Sequence, residues 1–196
     1  MSKPFARVWL FLWRWTTVAP PEPIPARCVM IAAPHTTNWD FPITLAMAKV
    51  SGVKINWLGK ESLFKGPMGP VMRWLGGVSV DRSAPGGLVA SMAREFEQRE
   101  KLALVVPAEG TRSRTEYWKS GFYRIAEQAH VPIVLAYVDR STRSGGFGPA
   151  ITLSGDIVAD MDRIRAFYEG KTGLKVGRFG PIRLREETPE TPFAGD

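Results

Sequence analysis

Leu102-Ala103-Leu104-Val105-Val106-Pro107-Ala108-Glu109-Gly110-Thr111-Arg112-Ser113 is the stretch on which the fold turns. Five apolar residues with no polar face read as a strand covered on both sides. Pro107 and Gly110 end it, and a polar, hydroxyl-rich loop follows at once. A strand covered on both faces needs helices above and below its sheet, so strands and helices should alternate along the chain. They do. Strands are expected at residues 27–33, 54–58, 78–80, 133–138 and 150–153. Helices are expected at about 38–50 and 86–100, around Val71 to Leu75, from Phe122 to Ala129, and around Met161, Ile164 and Phe167. This predicts one α/β domain with a largely parallel sheet flanked by helices. Ligands of such sheets sit where loops leave the carboxyl ends of strands.

The 196 residues suffice for one domain with a full core, and 44% apolar composition excludes a disordered chain. The net charge of +7 favours an anionic partner: acidic membrane, phosphorylated substrate or nucleic acid. The basic residues are spread along the chain without a nucleic-acid motif, so no nucleic acid is expected. Cys28 is the one cysteine, which rules out an internal disulfide and suits a reducing compartment. No apolar run reaches the length of a membrane span. At the N-terminus, Phe5, Val8, Trp9, Leu12 and Trp13 recur on one helical face, and Lys3, Arg7 and Arg14 flank them. That pattern suits either a helix lying on a membrane surface or a helix packed on its own domain; the Trp content favours the former. The chain is therefore divided into an amphipathic helix and Pro-rich linker (1–25), a catalytic-type domain (26–170) and a polar tail from 171 to 196, expected to pack poorly.

His35-Thr36-Thr37-Asn38-Trp39-Asp40 holds the candidate chemistry. On a regular helix, five steps turn a side chain by ~140°, so His35 and Asp40 would face apart. They meet only if His35 lies in a turn before the helix. Pro34 disfavours a helix arriving from upstream, and Thr37 or Asn38 can cap one that starts just after. Asp40 then falls in the first turn, where the helix dipole favours its charge. A carboxylate there can fix the imidazole tautomer while the other ring nitrogen takes a proton from a hydroxyl. Alone, the pair reads far more readily as a capping Asp beside an incidental His. His130 follows a helix before Val131-Pro132 and is read as structural. Two distant histidines make a poor metal set, so no metal is expected.

His35-x4-Asp40 followed by Glu109-Gly110-Thr111-Arg112-Ser113 resembles the glycerolphosphate and lysophosphatidate acyltransferase family. Gly77-Val78-Ser79-Val80-Asp81-Arg82, Lys119-Ser120-Gly121 and Val131-Pro132-Ile133-Val134 resemble further blocks of that family in the same order. Pro34 stands where the family has Asn, and Pro107-Ala108 where it has Phe-Pro; both departures bear on the acceptor. The resemblance implies that His35 is a general base oriented by Asp40. It implies an acceptor site shaped by Glu109, Gly110, Thr111 and Arg112, with Arg112 on a phosphate. Lys60 would help to hold that phosphate, Asp81 and Arg82 would support it, and Pro132 would shape the site. The co-substrate would be acyl-CoA or acyl carrier protein, with no cofactor. The acceptor would be a lysophospholipid, with 1-acylglycerol-3-phosphate foremost. The place of action would be cytoplasmic, peripheral on the inner face of the membrane. Two rivals stand beside this: an acyltransferase for a lyso-ornithine lipid, glycolipid or polyol, and a non-catalytic basic module that binds membrane.

Overall fold

β2 (Arg27–Ala32) and β5 (Leu102–Val106) lie side by side at the centre of the sheet, paired in parallel from Arg27 opposite Leu102 to Ile31 opposite Val106. The computed structural model describes residues 2–80 and 87–188, with the side chains of Lys60 and Val80 left aside. Around the central pair run α1 (Lys3–Leu12), β1 (Thr16–Val18), α2 (Asp40–Ser51), β3 (Asn56–Lys60), α3 (Gly69–Trp74), β4 (Gly77–Val80), α4 (Gly87–Gln98), α5 (Gly121–Gln128), β6 (Ile133–Asp139), β7 (Ser144–Ile151) and α6 (Ile157–Tyr168). Among the described residues the strand order is β1-β7-β6-β2-β5-β3-β4, and only β6 and β7 pair antiparallel.

Alternate residues of the central strands feed two cores. Val29, Ile31, Leu102, Leu104, Ile133 and Leu135 face α4, α5 and α6. Cys28, Met30, Ala103, Val134 and Ala136 face the other way, towards Ala48 of α2. Burial on both sides is why these strands read as unbroken apolar runs. Burial also pushes the Cys28 thiol up to about 12, so this cysteine stays protonated and unreactive.

Chain direction then selects the site. From β2 the chain passes through α2 to β3, on one side of the central pair. From β5 it passes through α5 to β6, on the other side. The sense of winding reverses between β2 and β5, and a crevice opens at their carboxyl ends. The His35 loop leaves β2 there and the Glu109 loop leaves β5.

The structure departs from the sequence expectations in four places. β7 begins at Ser144, six residues before the strand expected at 150. Gly145 and Gly146 look like turn residues, yet a Cβ at Gly145 would lie 2.6 Å from the Met47 sulfur, so close packing of α2 selects glycine. β1 is too short to announce itself and exists by pairing with β7. Val131-Pro132 lies at the amino end of the sheet, where the Pro132 carbonyl accepts the Val29 N–H at 3.0 Å. Pro132 therefore does not shape a site at the opposite end.

The fourth departure is the segment after α6, which packs firmly instead of trailing away. Phe179 and Ile182 join the larger core, Leu184 is buried in it, and Leu174 packs beside α1 and α2. Thr172 bonds Asp139 through both its N–H and its hydroxyl, and the Trp118 N–H donates to the Arg183 carbonyl at 2.8 Å. Donors from Ser141, Thr142 and Thr172 hold the Asp139 carboxyl down at about 2, against the opposing effect of burial. Four apolar anchors without helix or strand period, spread among charges and glycines, look like a tail until their partners are in place.

Candidate active site

The turn after β2 places His35 outside any helix. Its Nδ1 lies 3.4 Å from Asp40 Oδ2, with the histidine side chain 24% exposed and the aspartate 5%. Asp40 opens α2 and its carboxylate faces back over the turn. Oδ2 accepts the Thr36 N–H at 2.6 Å and the Thr37 N–H at 2.7 Å, and Oδ1 accepts the Thr37 hydroxyl. The expected side-chain cap from Thr37 or Asn38 is replaced by this arrangement. Trp39 is the N-cap residue and makes no side-chain cap bond, while its own N–H donates to Thr37 Oγ1 at 3.1 Å. A first-turn carboxylate bonded to loop N–H groups uses the same electrostatics as a cap, with the direction reversed.

Glu109 comes from the β5 loop and meets the same turn. It is 2% exposed, and both its oxygens lie on the His35 N–H, at 3.0 and 2.9 Å. Desolvation by burial pushes its carboxyl up to about 7; the His35 N–H and ring oppose this and the Asp40 charge adds to it. Glu109 thus holds the histidine loop through its backbone. Gly110 follows at φ +65°, where its N–H reaches back to the Pro107 carbonyl. Thr111 Oγ1 accepts the Ser113 N–H, so this hydroxyl orders its own loop. Arg112 Nη1 donates to Asn38 Oδ1 and joins the two loops at the surface.

The two loops border a cavity of about 450 Å³. His35, Asp40, Asn38 and Arg112 line it at the polar end. Its other walls are mainly apolar, from Phe41 on α2 across Ile55, Trp57, Val105, Ala136 and Val138. Phe41 and Trp57 meet edge to face at 5.3 Å. Among the described residues, no Ser or Cys lines the cavity; its hydroxyls are those of Tyr137 and of Thr44, which donates to the Asp40 carbonyl at 2.8 Å. A histidine held by a carboxylate at Nδ1 can accept a proton at Nε2 from a hydroxyl that a ligand brings.

Lys60 is the last residue of β3, opposite Val80 in β4, at the carboxyl end of the sheet. Asp81 and Arg82 lie outside the described residues. Ala108 is fully buried in the larger core and cannot touch an acceptor, whereas Pro34 lines the cavity. Sequence reasoning overlooked Asn38 as the partner of Arg112, and overlooked Thr36, whose buried hydroxyl accepts the Lys175 N–H at 3.1 Å. The one available signal was that both lie between His35 and Asp40. Among the described residues, no three His, Cys, Asp or Glu gather to hold a metal ion.

A family model described as Acyltransferase matches residues 16–138. The chain belongs to the Acyltransferase family. It is 32% identical over 121 residues to the probable 1-acyl-sn-glycerol-3-phosphate acyltransferase of Mycoplasma pneumoniae. That match covers 58% of this chain and 45% of the relative, so the chain spans about half the relative's length. The 1-acyl-sn-glycerophosphate (LPA) acyltransferase PlsC of Thermotoga maritima shares the fold, with a TM-score of 0.52 at 16% identity over 74% of this chain and 64% of that one.

Proposed function

We propose that this chain transfers a fatty acyl group from the thioester of acyl-CoA or acyl carrier protein to the hydroxyl of a lysophospholipid, 1-acylglycerol-3-phosphate foremost. One observation carries the reading: a His35–Asp40 pair and the Arg112 guanidinium stand on the wall of a mainly apolar cavity whose described lining holds no Ser or Cys. The acceptor hydroxyl gives its proton to His35 Nε2 as its oxygen attacks the thioester carbonyl. Asp40 stabilises the imidazolium. Collapse of the tetrahedral intermediate breaks the C–S bond, and the leaving thiolate takes the proton from His35. An ester and a free thiol result. The apolar walls suit an acyl chain, and Arg112 suits the acceptor phosphate.

The test is release of free thiol from a panel of acyl-CoAs, with and without lysophosphatidate. Release that depends on the acceptor supports the reading; thioester binding without turnover supports the non-catalytic module instead. Arg112→Ala should raise the KM for lysophosphatidate by ~10–100-fold, the scale of a charge-assisted hydrogen bond, and move the donor's KM far less. Equal effects on both would count against a phosphate site.

The same reading places the protein against a membrane. α1 is held on α2 through Ala6 and Leu10, which pack with Ile43, Ala46 and Met47. Phe5, Val8, Phe11, Leu12 and Trp13 remain exposed, Phe11 at 80%. The helix thus has two sides: one, with Trp9, packs on the domain, and the other, with Phe5, Val8, Phe11, Leu12 and Trp13, does not. Trp13 lies 6.1 Å from Trp39, so the apolar surface reaches the loop that carries His35. Exposed Lys3, Arg7 and Arg14 suit anionic headgroups. No helix among the described residues is long and apolar enough to cross a membrane. Truncating α1 would also strip Ala6 and Leu10 from the core, so surface substitutions make the cleaner experiment. Phe11→Ser with Leu12→Ser should weaken binding to phosphatidylglycerol-containing vesicles by at least ~10-fold, given ~1.5–3 kcal/mol per buried apolar side chain, and leave the melting temperature unchanged. Unaltered flotation would remove the membrane reading of this face.

A further inference from the structure

The segment that follows α6 crosses both loops of the site. A Cβ at Gly173 would lie 2.4 Å from Thr36 Cγ2, so the strap meets the histidine loop in direct contact there. The Lys175 N–H bonds the Thr36 hydroxyl, and Arg114 Nη1 donates to the Phe179 carbonyl at 3.1 Å. Between these ties stands Arg178. Its Nη1 lies 3.5 Å from the Thr36 carbonyl and 3.4 Å from the Arg112 carbonyl. These contacts are longer than well-formed hydrogen bonds, and they use one nitrogen of a group with five N–H donors. Among the described residues, no carboxylate pairs with Arg178 or with Arg112. The two nearby acids are engaged elsewhere, Asp40 on the loop N–H groups and Glu109 on the His35 N–H.

Two guanidinium groups thus attach to the same pair of loops, Arg112 through Asn38 Oδ1 and Arg178 through the Thr36 and Arg112 carbonyls, and no described carboxylate neutralises either. A phosphomonoester dianion offers three acceptor oxygens and satisfies both planar forks. We propose that Arg178, carried by the strap after α6, is a second phosphate-binding residue of the acceptor site and acts together with Arg112. The inference rests on the phosphate-bearing acceptor proposed above and adds a residue outside the 16–138 stretch that defines the family match. It gives the strap a task besides packing: substrate phosphate draws the strap, the histidine loop and the β5 loop together.

The test measures thiol release against lysophosphatidate concentration in the wild type, Arg178→Gln, Arg178→Lys and Arg112→Ala. Gln keeps an N–H donor for the two carbonyls and removes the charge; Lys keeps the charge and loses the fork. Arg178→Gln should raise the acceptor's KM by ~10–100-fold, as for any lost charge-assisted contact, with an unchanged melting temperature and an unchanged donor KM. Arg178→Lys should fall between it and the wild type. A wild-type acceptor KM in Arg178→Gln overturns the proposal and leaves Arg178 as a clamp between loops. So does a drop in kcat alone that tracks a lowered melting temperature. Absence of lysophosphatidate-dependent release in the wild type overturns the acceptor reading itself, and this inference with it, and is told apart because it needs no variant.

Discussion

His35→Ala should lower turnover by ~10²–10⁴-fold, the range for loss of a general base, with little change in stability. The separation of the two effects follows from how the residue is held. Its bond to Glu109 runs through the backbone N–H, which alanine keeps. Its ring is partly exposed on the cavity wall and carries no packing role comparable to the buried residues below it. Asp40 differs: its carboxylate bonds two loop N–H groups as well as facing the ring, so Asp40→Ala should cost both activity and melting temperature. Thiol release measured beside thermal melts checks the contrast. Unchanged thioester consumption in His35→Ala would sink the mechanism.

The second large effect lies at Glu109. Its folded carboxyl is raised from 4.5 to about 7, chiefly by burial. An acid raised in this way binds more protons folded than unfolded across that window. Its contribution to stability is therefore complete at low pH and is lost as pH rises to about 7. From the size of the shift, the loss is ~3 kcal/mol. A glutamine side chain cannot ionise, so Glu109→Gln should gain ~2–3 kcal/mol on the wild type between about pH 5 and pH 8. Urea denaturation of both proteins at the two pH values measures this difference of differences; a difference independent of pH would show that the carboxyl stays charged throughout. The amide oxygen can still accept the His35 N–H, but the substitution brings an amide donor into a buried place, so turnover should fall even where stability rises.

Much of this is legible in the chain. Leu102 to Val106 reads as a strand buried on both faces because each of its sides meets helices. The turn at Pro34 makes contact between His35 and Asp40 feasible from local rules alone, and the two side chains stand 3.4 Å apart. The polar appearance of residues 171–188 misleads, because Leu174, Phe179, Ile182 and Leu184 follow no regular period. Glu109 is found by its motif but given the wrong neighbour. Nothing local says whether a carboxyl in a loop turns outward to a substrate or inward to a backbone N–H 74 positions away.

By itself, then, the sequence determined the layered α/β order, the two-sided strands and the turn that sets His35 outside its helix. Those follow from hydrophobic period and turn chemistry, which act over a few residues. Only the tertiary structure decided which groups the turn would meet. Parallel pairing of β2 with β5 brings Glu109 under His35, and the packing of Leu184 and Phe179 lays Arg178 across both loops. Contacts between residues 74 and 142 positions apart depend on which distant strands pair and which segments share a core, and a pattern read over a few residues does not name the partner.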